Sequence, residues 1–239
     1  MTKRKLLGFL LGIQILIVSN LAYSIYTMQR YITNGRYMVT ITDRYERRLD
    51  GRPEILILGD SLAYGVGTST GETSFAGQIA QAYPDKSIVN KSVVGDSTTE
   101  LASDIDEHLD NKRYESIYIL ISGNDIFRFG VDIQDSADNL RDITSKAAEH
   151  ADTTYLITTP DFKNVSLIPW FSRGFYSNRS NIIHQAAISI HNNHDNVVYV
   201  DTYDVDPSHY SKLEATDGFH LNDDGIKELV ELITSYESS

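Results

Sequence analysis

The sequence predicts an α/β fold built on a parallel sheet, and two patterns support this prediction. Five short apolar runs typical of strands alternate along the chain with five segments that have the pattern of helices. Strands that are each followed by a helix form a parallel sheet that is covered on both faces. The chain has 239 residues, and without its N-terminal segment it has the length of one domain with a full hydrophobic core.

Each predicted strand is followed by a predicted helix. The strands are expected at Glu54–Leu58, Ser87–Asn90, Ser116–Ile121, Thr154–Thr158 and Val197–Asp201. The helices are expected at Ser74–Ala82, Thr98–Leu109, Ser136–His150, Asn181–Asn192 and Asp223–Ser235. Right-handed crossovers place the loops that follow the strands at one edge of the sheet. The long irregular stretch Thr159–Ser180 fits a lid, an apolar wall, a membrane contact or a loop folded on its own domain.

The N-terminal residues have the features of an export signal or a membrane anchor. The basic run Lys3–Lys5 precedes the apolar run Leu6–Val18, and the apolar character continues to Met28. Leu6–Met28 is long enough to span a bilayer, whereas Ala22–Ser24 offers a poor cleavage site. The basic start predicts that the body lies outside the cytoplasm, tethered to the membrane if the segment is retained and secreted if it is cleaved.

Charge divides the chain unevenly. Residues 1–50 carry 8 Lys+Arg and 3 Asp+Glu, a net charge of +5, and residues 51–239 carry 13 and 30, a net charge of −17, which together give the total of −12. A body this acidic repels phosphate backbones, so no nucleic-acid partner is expected.

We expect a signal anchor or signal peptide at 1–28, a stalk at 29–52 and the functional domain at 53–239. The absence of cysteine excludes disulfides and a cysteine nucleophile.

A serine follows the first predicted strand. Gly59, Asp60 and Ser61 come directly after Glu54–Leu58, and Gly59 allows the backbone to turn tightly. Ser61 then begins a segment whose N-terminal amides point at incoming negative charge. A serine hydroxyl is a weak nucleophile that needs a base. Taken alone, the motif fits a nucleophile and an N-capping serine equally well.

Two further loops at the same edge offer hydrogen-bond donors. Gly95, after the second strand, lets the backbone approach a ligand closely, and its N–H could donate to an oxyanion. Asn124, after the third strand, could supply a side-chain amide to the same oxyanion. Each motif alone is also explained by a helix cap or a turn.

An aspartate and a histidine precede the last helix. His220 can take the proton from Ser61, and Asp217 can bind the other ring nitrogen through a tight turn at Gly218. His184, His191, His194 and His209 are expected to be solvated residues of helices or loops. A metal site is the alternative use of the nearby carboxylates, which are Asp60, Asp96, Asp125 and Asp217.

Together these motifs resemble the SGNH (GDSL-type) hydrolase family over about residues 54–236. The blocks of the family match Gly59–Gly65, Gly95, Gly123–Asp125 and Asp217–Gly225. The run Val89–Thr98 is similar to the lysophospholipase, thioesterase and arylesterase-like branch. The sequence departs from the family at Ser122, where the family often has glycine.

The resemblance implies a flavodoxin-like three-layer α/β/α sandwich with a five-stranded parallel sheet in the order 2-1-3-4-5. It implies Ser61 as the nucleophile, His220 as the base and Asp217 as the orienting acid. The oxyanion donors would be the backbone N–H groups of Ser61 and Gly95 and the amide of Asn124. No metal or cofactor is expected, and Asp60 and Asp125 are expected to brace loops.

The function expected is that of a serine esterase acting on a small-molecule, lipid or glycan ester. A cell-envelope glycan O-acetylesterase or O-acyltransferase is the alternative within this class. A non-catalytic flavodoxin-like module that binds a phosphate or nucleotide is the alternative outside it. No G-x-G-x-x-G or Gly-Lys-Ser/Thr pattern follows a predicted strand, which favours the enzyme.

Overall fold

A five-stranded parallel sheet organises the chain, as the sequence predicts. The computed structural model describes residues 3–237. Outside the described residues lie Met1 and Thr2 of the predicted segment 1–28, and Ser238 and Ser239 of the predicted domain 53–239. The strands are β1 (Glu54–Gly59), β2 (Ser87–Asn90), β3 (Tyr114–Leu120), β4 (Ala151–Ile157) and β5 (Val197–Val200). Their order is β2-β1-β3-β4-β5 with parallel pairing throughout, which confirms the predicted topology.

Helices follow the strands and cover both faces of the sheet. They are α1 (Lys3–Ile41), α2 (Ser61–Tyr64), α3 (Phe75–Ala82), α4 (Thr98–Leu109), α5 (Gly123–Phe127), α6 (Ile133–Glu149), α7 (Arg173–Asn193), α8 (Pro207–Leu213) and α9 (Asp223–Glu237). A short 3-10 helix spans Phe162–Asn164.

Alternate residues of β1 serve the two faces of the sheet. Leu56 and Leu58 join a buried cluster with α4, α6 and α7, whereas Ile55 and Ile57 join a second cluster with α3 and α9. A strand buried on both faces needs apolar residues at every position, which explains the unbroken apolar run of β1. The result is the three-layer sandwich expected from the sequence.

The start of α7 differs from its predicted position. The helix begins at Arg173, not at Asn181, so the irregular stretch after β4 is shorter than predicted. The guanidinium of Arg179 is buried in this first part and donates to the carbonyl oxygens of Asp125, Ile126 and Val131. Since a polar side chain serves as the inward-facing residue, the apolar periodicity that signals a helix is missing here.

The N-terminal helix α1 runs without interruption through 39 residues, a length of about 58 Å. Its part from Lys5 to Ile41 is long and apolar enough to cross a membrane, and lies near the N-terminus, as in a signal or an anchor. Residues 29–52, the predicted stalk, comprise the second part of α1 and an extended segment along the body. In that segment Arg47 pairs with Ile88 and donates to the carbonyl oxygens of Ala80, Tyr83 and Lys86.

Candidate active site

The loop after β1 presents Ser61 at the carboxyl edge of the sheet. Gly59 has φ +140°, and a Cβ there would lie 1.9 Å from the carbonyl oxygen of Leu120, so only glycine fits beside β3. The carboxylate of Asp60 accepts from the N–H of Leu62 and caps α2. Ser61 is therefore the first helical residue, not the cap.

The loop after β2 places Gly95 at the same edge. Gly95 has φ +90°, a conformation that favours glycine, and its carbonyl oxygen accepts from Arg128. The carboxylate of Asp125 accepts from the N–H and the hydroxyl of Thr98 and so fixes the start of α4. The N–H groups of Ser61 and Gly95 have no acceptor within residues 3–237, so both are available to a ligand.

The loop after β3 holds Asn124 by its backbone and by its side chain. Asn124 is the second residue of α5, and its Nδ2 donates to the carbonyl oxygen of Asp96, 2.8 Å away. An amide nitrogen carries two protons, so one remains for a ligand. Ser122, the residue that departs from the family pattern, has φ +103° and adopts a backbone conformation that favours glycine.

A tight turn joins Asp217 to His220 before α9. Gly218 has φ +61°, and Oδ1 of Asp217 accepts from the N–H groups of Phe219 and His220. Oδ2 of Asp217 then lies 2.5 Å from Nδ1 of His220. The turn anticipated at Gly218 thus brings the carboxylate and the imidazole together.

Ser61, His220 and Asp217 form one hydrogen-bonded chain. Nε2 of His220 lies 2.7 Å from Oγ of Ser61, and its Nδ1 faces Asp217. His220 and Asp217 have side chains that are 10% and 3% exposed, so little water competes for these contacts. A carboxylate, an imidazole and a hydroxyl in this order can move the serine proton onto the ring.

The pKa values of the acidic groups around Ser61, His220 and Asp217 shift in opposite directions. Burial by itself raises the pKa of Asp217, but the hydrogen bonds and the positive charge offered by His220 lower it below the usual value, so Asp217 is held as a carboxylate. Burial raises the pKa of Asp60 to about 6. Burial likewise raises the pKa of Asp125, although the hydrogen bonds from Thr98 oppose the shift.

The carboxylates considered for a metal site have separate partners. Asp60 caps α2, Asp125 braces α4 and Asp217 binds His220. Within residues 3–237, no three His, Cys, Asp or Glu side chains are grouped so that they could hold a metal ion.

A mainly apolar cavity adjoins Ser61 and His220. It has a volume of about 310 Å³ and extends under the ends of β3 and β4 towards α8 and α9, which places it near the lower end of small-molecule pockets. Its apolar lining includes Leu120, Phe162, Tyr210, Leu213, Leu229 and Leu232. Gly95 and Asn124 do not line the cavity, whereas Gly123, the neighbour of Asn124, does. Sequence reasoning missed the cavity because its walls come from segments that are far apart in the sequence.

The second half of α1 contacts the Asp217–His220 turn. Asn34 Nδ2 donates to the carbonyl oxygen of Thr216 at 2.8 Å, and a Cβ on Gly35 would lie 3.2 Å from Oδ2 of Asp217. A Cβ on Gly218 would lie 3.1 Å from the ring of Tyr31. The sequence offers only one hint of this contact, which is a glycine inside a helix, where it is unfavourable.

Comparisons with known proteins agree with the fold of the chain. The chain has the fold of the solved structures of TesA (TM-score 0.60, 16% identity, 76% of this chain and 96% of that chain) and of Axe2, an acetylxylan esterase from Geobacillus stearothermophilus (TM-score 0.57, 20% identity, 77% and 93%). It also has the fold of EstA, a psychrotrophic esterase from Pseudoalteromonas sp. solved as inhibited by monoethylphosphonate (TM-score 0.56, 21% identity, 78% and 100%).

At these identities the likeness to solved structures shows the fold alone. No curated protein matches the sequence. Residues 57–227 match the model of the GDSL-like lipase/acylhydrolase family, which is more than half of the chain. The chain therefore belongs to the GDSL-like lipase/acylhydrolase family.

Proposed function

We propose that the protein is a serine esterase in which Ser61 is the nucleophile, His220 the general base and Asp217 the group that orients the base. The observation that carries the proposal is the contact of 2.7 Å between Ser61 Oγ and His220 Nε2, backed by Asp217 on the other ring nitrogen. A serine hydroxyl becomes a useful nucleophile when a positioned base accepts its proton.

The cycle has two half-reactions. Oγ of Ser61 attacks the ester carbonyl carbon while Nε2 of His220 takes the hydroxyl proton. The bond to the alcohol then breaks, and the alcohol leaves with that proton, so an acyl-serine remains. Water gives its proton to His220 and attacks the acyl group, and Ser61 recovers its proton as the acid departs. Asp217 stays ionised throughout and stabilises the imidazolium.

The negative charge that forms on the carbonyl oxygen needs donors in place. We assign this role to the N–H groups of Ser61 and Gly95 and to the second amide proton of Asn124. Because Nδ2 of Asn124 is already held by the carbonyl oxygen of Asp96, its orientation is set before substrate arrives. One such donor contributes about 3 kcal/mol to transition-state stabilisation.

The apolar cavity supports an acyl group longer than acetyl as substrate. It opens beside Ser61 and His220 and offers an aliphatic chain a place out of water. The run Val89–Thr98, which is similar to the lysophospholipase, thioesterase and arylesterase-like branch, favours the same substrates. The test is to measure kcat/KM for a series of esters of one alcohol, with acyl chains from acetyl to palmitoyl. We expect the highest kcat/KM for an acyl chain longer than acetyl.

A glycan O-acetylesterase or O-acyltransferase of the cell envelope is the second candidate. It is compatible with the same Ser-His-Asp chain, and Axe2, an acetylxylan esterase, has the same fold. A sugar hydroxyl and water compete for the same acyl-serine, so product analysis with acceptor sugars separates transfer from hydrolysis. A kcat/KM that is highest for acetyl and falls with chain length would favour this candidate.

We further propose that α1 anchors the protein in a membrane, with the catalytic body outside the cytoplasm. The length and composition of the helix support an anchor, and the basic start of the chain supports the orientation. Cleavage of the segment would instead release a secreted form.

The nucleophile can be tested directly. Ser61→Ala and His220→Ala should each reduce hydrolysis of a p-nitrophenyl ester by a factor of about 10⁴ or more, because each breaks the same proton path. A fluorophosphonate probe should label the unaltered chain and Ser172→Ala, but not Ser61→Ala. Folded protein that takes up no label at Ser61 would favour a non-catalytic binding module.

A further inference from the structure

Four exposed aromatic side chains lie at one end of α7. Trp170, Phe171, Phe175 and Phe129 are 62%, 51%, 49% and 79% exposed. Phe129 stacks on Phe175 at 6.0 Å between ring centroids, and Trp170 contacts Phe171 edge to face at 5.9 Å. We call these four residues the aromatic ridge. So much exposed aromatic surface is costly in water and indicates a binding surface.

The aromatic ridge is attached to the apolar half of α1. Nε1 of Trp170 donates to Oδ1 of Asn20 at 2.8 Å. Asn20 precedes Tyr31, the residue of α1 that meets Gly218, by eleven positions, or about 16 Å of helix. The ridge therefore projects well beyond the catalytic loop, along the part of the helix that leads away from the body.

The depth of Asn20 follows from the dimensions of a bilayer. A hydrocarbon core of about 30 Å needs about 20 helical residues, and counted from Leu6 these extend to about Ile25. A spanning α1 thus carries Asn20, and Trp170 with it, to five residues before this end, about 8 Å inside the boundary of the hydrocarbon core. Tryptophan favours this boundary, since its ring is apolar and its N–H is polar.

Charge around the ridge suits the same environment. The chain has 33 Asp and Glu, yet none occurs from Phe162 to His194. In this range Arg173 is an exposed basic residue, whereas Lys163 pairs with Asp161 and Arg179 is buried. Arg128 stands next to Phe129 in the sequence. An acidic body would be repelled by anionic headgroups, whereas a segment without acidic residues and with basic ones is attracted to them.

The ridge also leads towards the catalytic histidine. Phe175 contacts Tyr176, Tyr176 stacks on Phe127, and Phe127 contacts Phe219, with ring centroids 5.2, 6.1 and 5.8 Å apart. Phe219 is the neighbour of His220. A continuous series of aromatic rings thus joins the exposed surface to the candidate active site.

We propose that the aromatic ridge is an interfacial membrane-binding surface that seats in the leaflet that α1 enters. It holds the carboxyl edge of the sheet, with Ser61, against the lipid, so that acyl esters at the bilayer surface are within reach. The proposal rests on α1 being the anchor assigned under the proposed function.

The single tryptophan of the chain makes the test specific. Trp170 is the one Trp among the 239 residues, so all tryptophan emission reports on the ridge. The full chain is reconstituted into vesicles of phosphatidylcholine and phosphatidylglycerol, with or without lipids brominated near the glycerol backbone. We expect blue-shifted emission, at least twofold quenching by the brominated lipids and little quenching by aqueous iodide.

A matched variant supplies the control. Trp170→Phe combined with Tyr236→Trp moves the tryptophan to the C-terminal end of α9, a helix that covers the face of the sheet opposite to α7. Iodide should quench this tryptophan and brominated lipid should not. The proposal is overturned if Trp170 in vesicles behaves like the control, or if neither quencher reaches it, which would indicate burial against a second protein copy.

Failure of this proposal can be told apart from failure of the esterase proposal. The quenching pattern does not require turnover, so Ser61→Ala should show it unchanged. Lipid quenching of Trp170 without fluorophosphonate labelling of Ser61 would support the ridge and reject the esterase. Fluorophosphonate labelling of Ser61 without lipid quenching of Trp170 would support the esterase and reject the ridge. A chain that does not co-float with vesicles in a density gradient would reject both the anchor and the ridge.

Discussion

Ser122 adopts a backbone conformation that its side chain disfavours. It lies directly after β3 with φ +103° and ψ −11°, and it is fully buried. Its hydroxyl has no hydrogen-bond partner among the described residues. A residue other than glycine in such a conformation costs about 1–3 kcal/mol, and the loop that carries Asn124 bears this cost.

Replacing Ser122 by glycine should therefore stabilise the protein. Ser122→Gly removes the backbone strain and the buried hydroxyl, and both changes stabilise the folded protein. The glycine also gives the unfolded chain more conformational freedom, which destabilises the folded protein by about 0.4–1 kcal/mol. We expect a net increase in the free energy of unfolding of about 1 kcal/mol, measured by urea denaturation. Ser122→Ala, which removes the hydroxyl but keeps the strain, should gain less. A glycine variant less stable than the alanine variant would contradict this account.

Asp60 should make stability depend on pH. Burial raises its pKa from 3.8 to about 6, so between these values the folded state keeps a proton that the unfolded state has lost. Stability consequently falls as the pH rises through this window, by up to about 3 kcal/mol. Asp60→Asn cannot lose this proton, so the pH dependence caused by Asp60 disappears in the variant. The free energy of unfolding of Asp60→Asn minus that of the unaltered chain should therefore rise between pH 4 and pH 7.

The measurement is denaturant unfolding of both proteins across that pH range. The exposed Asp195→Asn supplies the control for the replacement of a carboxyl group by an amide at the surface. If the stability difference between Asp60→Asn and the unaltered chain did not change with pH, the Asp60 account would be rejected.

At the scale of elements, the sequence predicts best what depends on neighbouring residues. The strands and the loops that follow them are predictable because each apolar run ends in glycine or a polar turn. The start of α7 is missed because Arg179 makes its tertiary contacts to distant carbonyl groups. The cavity and the docking of α1 on Asp217 are missed for the same reason, since both depend on segments far apart in the sequence.

The contact between α1 and the catalytic turn can be tested at Gly35. A larger side chain must displace Oδ2 of Asp217, which lies 3.2 Å from the position of a Cβ. Since small misplacements of catalytic groups are costly, Gly35→Leu should lower kcat on a soluble ester by about tenfold to a hundredfold. Gly12→Leu, in an open part of the same helix, should leave kcat unchanged. Equal kcat values for both variants, each with an unchanged melting temperature, would reject the contact.

On the scale of the whole molecule, α1 has two halves with different surroundings. The half before residue 28 is largely exposed, whereas Met28, Tyr31 and Ile32 pack against the core of the body. Removal of a signal at Ala22–Ser24 would therefore take away only the exposed half. The support for Asp217 would stay with the body whether or not the anchor is retained.

Two truncations test this division of α1. Deletion of residues 1–27 should give a soluble protein with kcat/KM for a short-chain ester within about twofold of the full chain, since Asn34 still donates to Thr216. Deletion of residues 1–41 should lower both the melting temperature and kcat, because it uncovers apolar core and frees the Asp217–His220 turn. The quantities to compare are kcat, KM and the melting temperature of the two soluble proteins. If they agree, α1 is only a tether, and the catalytic turn holds its geometry without it.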